Sequence, residues 1–245
     1  ETADGEIVTQ QVTVNLTGSE DAPVISGTSS GALVEDTASV SGQLSVSDAD
    51  DEDSPAFNEE SLSGTYGSLS IDADGSWTYT PDSSINSLNA GESASESFTV
   101  TAETADGEIV TQQVTVNLTG TNDIPVLTSG SVSATEDQLE SGISATAGES
   151  NLLSQVSDAD DGDTTFTIGQ INGSAANVGQ AITVTLSYQD KSGSSQTQDV
   201  SLTVNADGSY SVSGFDLDAL PAGNNATAIF TYTAMDDSGA ESSTE

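Results

Sequence analysis

The sequence of 245 residues contains no cysteine, no histidine and no arginine, and its one basic residue is Lys191. Without cysteine the chain has no disulfides, and without cysteine or histidine it lacks the nitrogen and sulfur ligands typical of a zinc site. Nucleophilic catalysis by a histidine-activated or cysteine nucleophile is excluded too, and phosphate-binding sites lack the basic residues that they usually need. These absences predict a protein that is not an enzyme.

Charge of one sign dominates, since 40 Asp and Glu residues give a formal net charge of −39. A nucleic acid backbone would be repelled, so nucleic acid is excluded as a partner. Paired carboxylates could serve a glycosidase, but aromatic residues make up only 4% of the chain, and Trp77 and Tyr79 alternate along a predicted strand, which favours core packing over a sugar platform. Apolar runs are too short to span a membrane, so no membrane insertion is predicted.

The most informative feature that is present is an internal repeat. Residues 1–18 recur without a change as residues 103–120, a spacing of about 102 residues, and SEDAPV at 19–24 lies opposite TNDIPV at 121–126. Later matches need a larger offset, which indicates an insertion in the last unit. We predict a terminal strand of a preceding repeat at 1–18, a complete module at 19–120 (the central module) and a longer module lacking its last strand at 121–245 (the third module). Such arrays build length or multivalency more readily than an active site.

Apolar residues alternate with polar ones in short runs, and turn signals follow every 8–12 residues. In VTQQVTVNL at 110–118, for example, Val114, Val116 and Leu118 share one parity, the period of a half-buried strand. Asp-Gly at 74–75 and at 207–208 predicts tight hairpins with glycine at positive φ. The pattern predicts an all-β fold of tandem immunoglobulin-like β-sandwich modules, with single helical turns within 84–92 and 216–223.

Carboxylate oxygens are the metal ligands that this chain has in excess, and they suit Ca²⁺. A single Asp or Glu is usually a solvated surface residue. The runs DADDEDS at 48–54 and DADDGDT at 158–164, however, place several carboxylates at an equivalent point of both modules, where uncompensated charges would repel. We therefore predict Ca²⁺ as the cofactor.

Strand alternation predicts where these acidic segments meet. It places the loop 48–54 and the turns 72–75 and 104–107 at the end of the central module that faces the first linker, and Glu35 with Asp36 at the other end. At the junction with the third module, Glu35 and Asp36 should meet the second linker, the acidic run and the turn at 205–208. The predicted metal ligands are Glu20, Asp21, Glu35, Asp36, Asp48, Asp50, Asp72, Asp74, Asp106, Asn122, Asp123, Glu136, Asp137, Asp158, Asp160 and Asp207.

The strings GTYGSLSIDADGSWTYTPD (64–82), LNAGESASESFTVTAETADG (88–107) and QQVTVNLTGTND (112–123) closely resemble the VCBS repeat, one of the cadherin-like and bacterial Ig-like modules of very large secreted adhesins. The resemblance covers nearly all of 33–123. It implies a calcium-stiffened extender that holds a ligand-binding tip away from the bacterial cell surface, exported by a type I secretion system. It also implies that Asn122 and Asp123 form the inter-repeat linker; the first linker departs from the pattern, with Glu20 in place of Asn.

These observations together predict a non-enzymatic, extracellular spacer of a large bacterial adhesin, which mediates cell adhesion or biofilm attachment and whose partners are neighbouring repeats. One alternative is a third module that binds a glycan or protein through loops within 165–199. Another is a filament subunit with head-to-tail self-association, in which residues 6–18 pair with the open edge of the third module of a neighbouring copy. An exposed aromatic cluster within 165–199 would favour the first alternative.

Overall fold

The computed structural model describes residues 3–7, 9–50, 54–128, 143–145, 151–215 and 220–243. The strands of the central module are β1 (Val24–Gly27), β2 (Ser30–Val34), β3 (Val40–Ser47), β4 (Ala56–Phe57), β5 (Glu60–Ser63), β6 (Gly67–Ile71), β7 (Ser76–Pro81), β8 (Ser93–Glu103) and β9 (Ile109–Thr119). Those of the third module are β10 (Val126–Leu127), β11 (Ile143–Ala145), β12 (Val156–Ser157), β13 (Thr167–Ile171), β14 (Ala181–Gln189), β15 (Ser195–Val204), β16 (Tyr210–Ser213) and β17 (Tyr232–Met235).

Helical structure among the described residues consists of short 3-10 helices at Ser83–Ser87, Leu152–Gln155 and Ala175–Asn177. The first lies within the predicted stretch 84–92, apart from its first residue, and confirms a single helical turn there. Residues 216–219 of the other predicted turn lie outside the described residues. Within the described part of the chain no helix combines the length and apolarity needed to cross a bilayer.

Two sheets form the central module, one in the order β1-β3-β7-β6-β5 and one in the order β2-β9-β8-β4. Strands β1 and β2 follow each other in sequence but belong to different sheets, since β1 pairs with β3 and β2 runs parallel to β9. The chain changes sheet after Gly27, whose φ is 108°, and a Cβ there would lie 3.0 Å from Leu44 Cα. Glycine therefore permits both the backbone conformation and the close approach. The predicted all-β sandwich fold is confirmed.

The core of the central module lies between the two sheets and follows the alternation of the sequence. Trp77 and Tyr79 are fully buried, as are Val114, Val116 and Leu118 on the facing sheet. The indole Nε1 of Trp77 donates a hydrogen bond to Thr28 O at 2.8 Å, so the polar atom of this side chain is satisfied. Trp77 and Tyr79 are thus core residues, as predicted, and form no sugar platform.

One carboxylate is built into this core. Glu96 is buried and accepts hydrogen bonds from the Tyr79 hydroxyl at 2.6 Å, from Tyr66 N at 3.1 Å and from Thr65 N. Burial, together with the neighbouring Glu96 carboxylate, raises the pKa of Tyr79 well above its ordinary value. The tyrosine therefore stays protonated and remains a donor to Glu96.

The third module contains a four-stranded sheet in the order β11-β16-β15-β14 and the pairs β13-β17 and β10-β12. Its core contains Leu202 and Val204 from a strand predicted by alternation, together with Ile171 from β13, for which no strand was predicted. Gly208 has a φ of 75° and Gly75 of the central module a φ of 82°, which confirms both predicted Asp-Gly turns. The third module is thus also built from antiparallel strand pairs, and β14 and β15 are its longest strands.

The duplicated segment has two different structures. Residues 109–119 form β9 between β2 and β8, whereas no strand is assigned within residues 9–18. Val12, Val14 and Leu16 are 73–90% exposed, although their counterparts Val114, Val116 and Leu118 are fully buried. The alternating sequence is compatible with a strand, but the segment forms a strand only where neighbouring strands pair with it.

Candidate metal centre at the module junction

Glu35 contributes a buried carboxylate at the end of the central module. The parallel pairing of β2 with β9 sets Val34 opposite Thr119, so the residue that follows β2 lies beside the start of the linker. Glu35 N donates to Thr119 O at 2.9 Å and Glu35 Oε2 accepts from Thr121 N at 2.7 Å. The side chain is 3% exposed, and its Oε1 is buried without a hydrogen-bond partner among the described residues.

The acidic loop of the third module lies against the same linker. β10, just after the linker, pairs with β12, which ends one residue before Asp158. Asp160 is 3% exposed and its Oδ2 accepts from Asp123 N of the linker at 2.8 Å. Asp160 N in turn donates to Asp158 Oδ1 at 3.1 Å. Carboxylate oxygens of Asp158, Asp160 and Asp163 lie within 4.8 Å of one another.

Asp236 completes the group from the turn after β17. It is buried and accepts hydrogen bonds from Asn122 Nδ2 at 2.9 Å, Ser238 Oγ at 2.8 Å and Ala240 N at 2.8 Å. Burial raises the pKa of Asp236, but these hydrogen bonds outweigh burial and hold the pKa below its ordinary value. Asp236 therefore stays ionised beside the acidic loop and ties the linker to the third module.

Four carboxylates of the junction show the opposite shift. Burial raises the pKa of Glu35, Asp123, Asp158 and Asp163, and repulsion from neighbouring carboxylates raises each of them further. Mutual repulsion links the two sides of the junction, since Asp123 faces both Asp36 and Asp160. A negative potential thus accumulates between the modules, where the described residues provide no basic side chain to balance it.

The junction is suited to a cation because several carboxylate oxygens there have no donor among the described residues. These buried oxygens are Glu35 Oε1, Asp123 Oδ2, Asp158 Oδ2 and Asp160 Oδ1. A buried anionic oxygen without a hydrogen bond is costly in free energy, and several such oxygens at one junction favour a bound metal ion. Oxygen-only ligands in an irregular arrangement fit Ca²⁺ better than Mg²⁺, which requires near-octahedral geometry.

The first linker repeats half of this arrangement. Asp21 N donates to Asp50 Oδ2 at 2.9 Å, Asp50 N donates to Asp48 Oδ1 at 2.9 Å, and Asp48 Oδ2 is buried without a partner in the described part of the chain. The same two hydrogen bonds join Asp123, Asp160 and Asp158 at the second linker, where Asp158 Oδ2 corresponds to Asp48 Oδ2. In the central module the residue equivalent to Asp236 is Thr104. Its hydroxyl donates to Asp106 Oδ1 and accepts from Glu108 N.

The structure brings Glu35, Asp36, Asn122, Asp123, Asp158 and Asp160 of the predicted ligands together. It also adds Asp163 and Asp236, which the sequence reasoning did not select. Asp163 was within the acidic run, and the turn DDSG at 236–239 lies opposite TADG at 104–107, so alignment of the two turns could have indicated Asp236.

Other predicted ligands serve their own turns. Asp74 Oδ1 accepts from Ser76 N at 2.9 Å and Asp207 Oδ1 from Ser209 N at 3.0 Å. Hydrogen bonds from these serines lower the pKa of both aspartates. Asp72 likewise accepts from the Ser76 hydroxyl at 3.3 Å. Asp207 was predicted at the junction, but the structure does not bring its carboxylate into the junction group. Asp72 and Asp74, which were predicted at the first linker, accept hydrogen bonds within their own turn. Glu136 and Asp137 lie outside the described residues, and Glu20 lies in the first linker.

Comparison with known proteins places part of the chain in context. Residues 20–120 match the family described as bacterial cadherin-like domain. No curated protein matches the chain. Among solved structures, the extracellular cadherin domains 3–6 of protocadherin gamma B2 match at 12% sequence identity and a TM-score of 0.35, over 91% of this chain. The match covers 49% of the protocadherin chain, so this chain spans about half the length of that structure.

Proposed function

We propose that this chain is a non-enzymatic extender segment of a large bacterial surface adhesin, in which Ca²⁺ at the module junction fixes the angle between consecutive β-sandwiches. Three features support the proposal: the repeated module, the match of residues 20–120 to bacterial cadherin-like domains and the chemistry of the junction. The proposal depends mainly on four buried carboxylate oxygens that have no donor among the residues that the structure describes, on Glu35, Asp123, Asp158 and Asp160.

These ligands come from three separate parts of the chain. Glu35 belongs to the central module, Asp123 to the linker, and Asp158 and Asp160 to the third module. A cation held by all three would neutralise their repulsion and require the two modules to keep one relative orientation. Extracellular modules of this kind bind calcium with dissociation constants of about 10⁻⁴–10⁻³ M, so the extracellular medium would keep the junction stiff.

Isothermal titration calorimetry, thermal melting and small-angle X-ray scattering test this directly. Calcium at roughly millimolar concentration should raise the melting temperature, because it binds only the folded state, and should lengthen the maximum dimension of the particle. EGTA should reverse both effects, and Mg²⁺ at equal concentration should produce a smaller change. Identical melting curves and scattering profiles with calcium and with EGTA would leave the carboxylates as a solvated surface.

A second candidate function, ligand binding by the third module, is favoured by one cavity. It has a volume of ≈ 460 Å³ and lies at the end of the β14–β15 hairpin, lined by polar side chains that include Gln189, Gln196 and Asn225 together with Tyr188. The ring of Tyr188 packs edge-to-face on Phe215 at 5.6 Å. Such a polar cavity with one aromatic wall suits a glycan. Binding on a glycan array that Tyr188→Ala abolishes would support this candidate, and an array without signal would dismiss it.

A further inference from the structure

A second contact between the modules lies beside the metal centre and involves no carboxylate of the junction group. It begins with the loop that follows the first 3-10 helix. Gly91 N donates to Gly120 O at 3.0 Å and Gly120 N donates to Glu92 O at 2.9 Å. A Cβ at Gly120 would lie 2.5 Å from Asn89 O, so the loop is closed tightly onto the start of the linker.

Within this loop the side chain of Asn89 is oriented by Glu92. Glu92 Oε2 accepts from Asn89 Nδ2 at 2.6 Å and from Asn89 N at 3.2 Å. Because the amide nitrogen is engaged by Glu92, the amide oxygen of Asn89 faces the third module. There Asn89 Oδ1 accepts a hydrogen bond from Gly162 N at 2.6 Å. A second bond runs from Asp161 N to Ser87 O at 3.3 Å.

A side chain at Gly162 would displace the Asn89 amide from this contact. A Cβ added there would overlap Asn89 Oδ1 and lie 2.9 Å from Asn89 Cγ. The equivalent position of the other acidic run, DADDEDS, is Glu52. Glutamate at this position would require an asparagine such as Asn89 to move away, which would break the hydrogen bond.

We propose that Asn89 is a positioning residue for the metal centre, and that Gly162 is the specificity determinant that admits it. Gly162 lies between Asp160 and Asp163, so a hydrogen bond to its backbone fixes the spacing of two candidate ligands. The central module thereby sets the shape of a loop in the third module without itself contacting the cation. The role of Asn89 and Gly162 in calcium binding rests on the proposed function. Their effect on the relative orientation of the modules does not.

The test combines two measurements on Asn89→Ala, Gly162→Ala and the double variant, with Asn86→Ala in the preceding 3-10 helix as the control. Calcium affinity is measured by calorimetry. Module orientation is measured by the distance between spin labels on cysteines introduced at the exposed residues Thr99 and Ser211, since the chain has no cysteine of its own. Melting curves establish that each variant is folded.

Each single variant should weaken calcium binding by about 2- to 10-fold, the effect of one hydrogen bond, and should broaden the distance distribution in EGTA. The double variant should lose no more than either single variant, because both remove the same contact. Asn89→Ala behaving like Asn86→Ala in both measurements would overturn the inference and leave calcium binding by the wild type intact. A wild type without calcium binding, but with distances broadened by Asn89→Ala, would overturn the metal role and retain the orienting contact.

Discussion

Replacing Asp160 with asparagine should change the stability of the third module in opposite directions with and without calcium. Without a cation, Asp160 is one of several buried carboxylates that repel one another, so removal of its charge relieves the folded state. The amide oxygen of the new side chain can still accept the hydrogen bond from Asp123 N. With calcium, the same substitution removes an anionic ligand, and the stabilisation that depends on binding falls.

The size of both effects follows from the geometry. Carboxylate oxygens of Asp158, Asp160 and Asp163 lie within 4.8 Å of one another. At an effective dielectric constant of about 20, two unit charges at that separation repel by roughly 3.5 kcal/mol, and counterions and partial protonation reduce this to on the order of 1 kcal/mol. Calcium at ten times its dissociation constant adds about 1.4 kcal/mol to a folded state that alone binds it. Each of these two free-energy changes should shift the melting temperature of a module of this size by roughly 3–6 °C.

Thermal melting followed by circular dichroism measures both changes in stability, one in EGTA and the other in saturating calcium. Asp160→Asn should melt at or a few degrees above the wild type in EGTA and gain less than half of the wild-type increase in calcium. Asp161→Asn is the matched control, because it removes the same charge from an exposed neighbour and should follow the wild type in both conditions. If Asp160→Asn were less stable than the wild type in EGTA and kept the full calcium response, the account of the junction as a repulsive cation site would be refuted.

In EGTA, protonation of the junction carboxylates with raised pKa should stabilise the fold, because the folded state binds these protons more tightly than the unfolded chain does. The melting temperature should therefore rise as the pH falls from neutrality through their folded-state pKa towards their ordinary pKa. The change of melting temperature with pH should be smaller in Asp160→Asn than in the wild type. A wild-type melting temperature without pH dependence would contradict the prediction. Tyr79→Phe should destabilise the central module by about 2 kcal/mol, since it removes a donor to a buried carboxylate, and should leave calcium affinity unchanged; a shift below about 2 °C would contradict it. Deletion of residues 1–18 should leave the melting of both modules unchanged but abolish any head-to-tail association, and oligomers that persist would argue against strand exchange.

Much of the fold could be predicted from the sequence because period-two alternation and Asp-Gly turns report local geometry directly. The alternation of Val114, Val116 and Leu118 indicated β9, and the repeat offset indicated where the modules join. The segment at residues 9–18, which has the same sequence as residues 111–120, forms no strand, however. Strand formation depends on hydrogen bonds to neighbouring strands, which a segment's own sequence does not contain.

Strand alternation predicted the neighbourhood of several junction carboxylates but not every member of the group. It placed Glu35 and Asp160 at the second linker, where they accept hydrogen bonds from Thr121 N and Asp123 N. It could not show that Asp74 and Asp207 use their oxygens locally, although a serine two residues later, at Ser76 and Ser209, was a usable signal for such turns. Asp236 was hidden because the equivalent turn of the central module carries threonine there, so comparison of the repeats emphasised acids common to both.

The two linkers bear on how an array of this kind would respond to calcium. At the second linker, carboxylates of both modules and of the linker contribute to the junction, so under the proposed function calcium binding and module orientation are thermodynamically linked: whatever fixes the orientation raises the affinity, and binding fixes the orientation. The first linker carries counterparts of Asp123, Asp158 and Asp160 in Asp21, Asp48 and Asp50. A carboxylate of a neighbouring module in the role of Glu35 would raise the calcium affinity of that group in the same way. The proposed function therefore makes calcium affinity a property of each pair of neighbouring modules, so that the stiffness of each joint depends on which two sequences meet there.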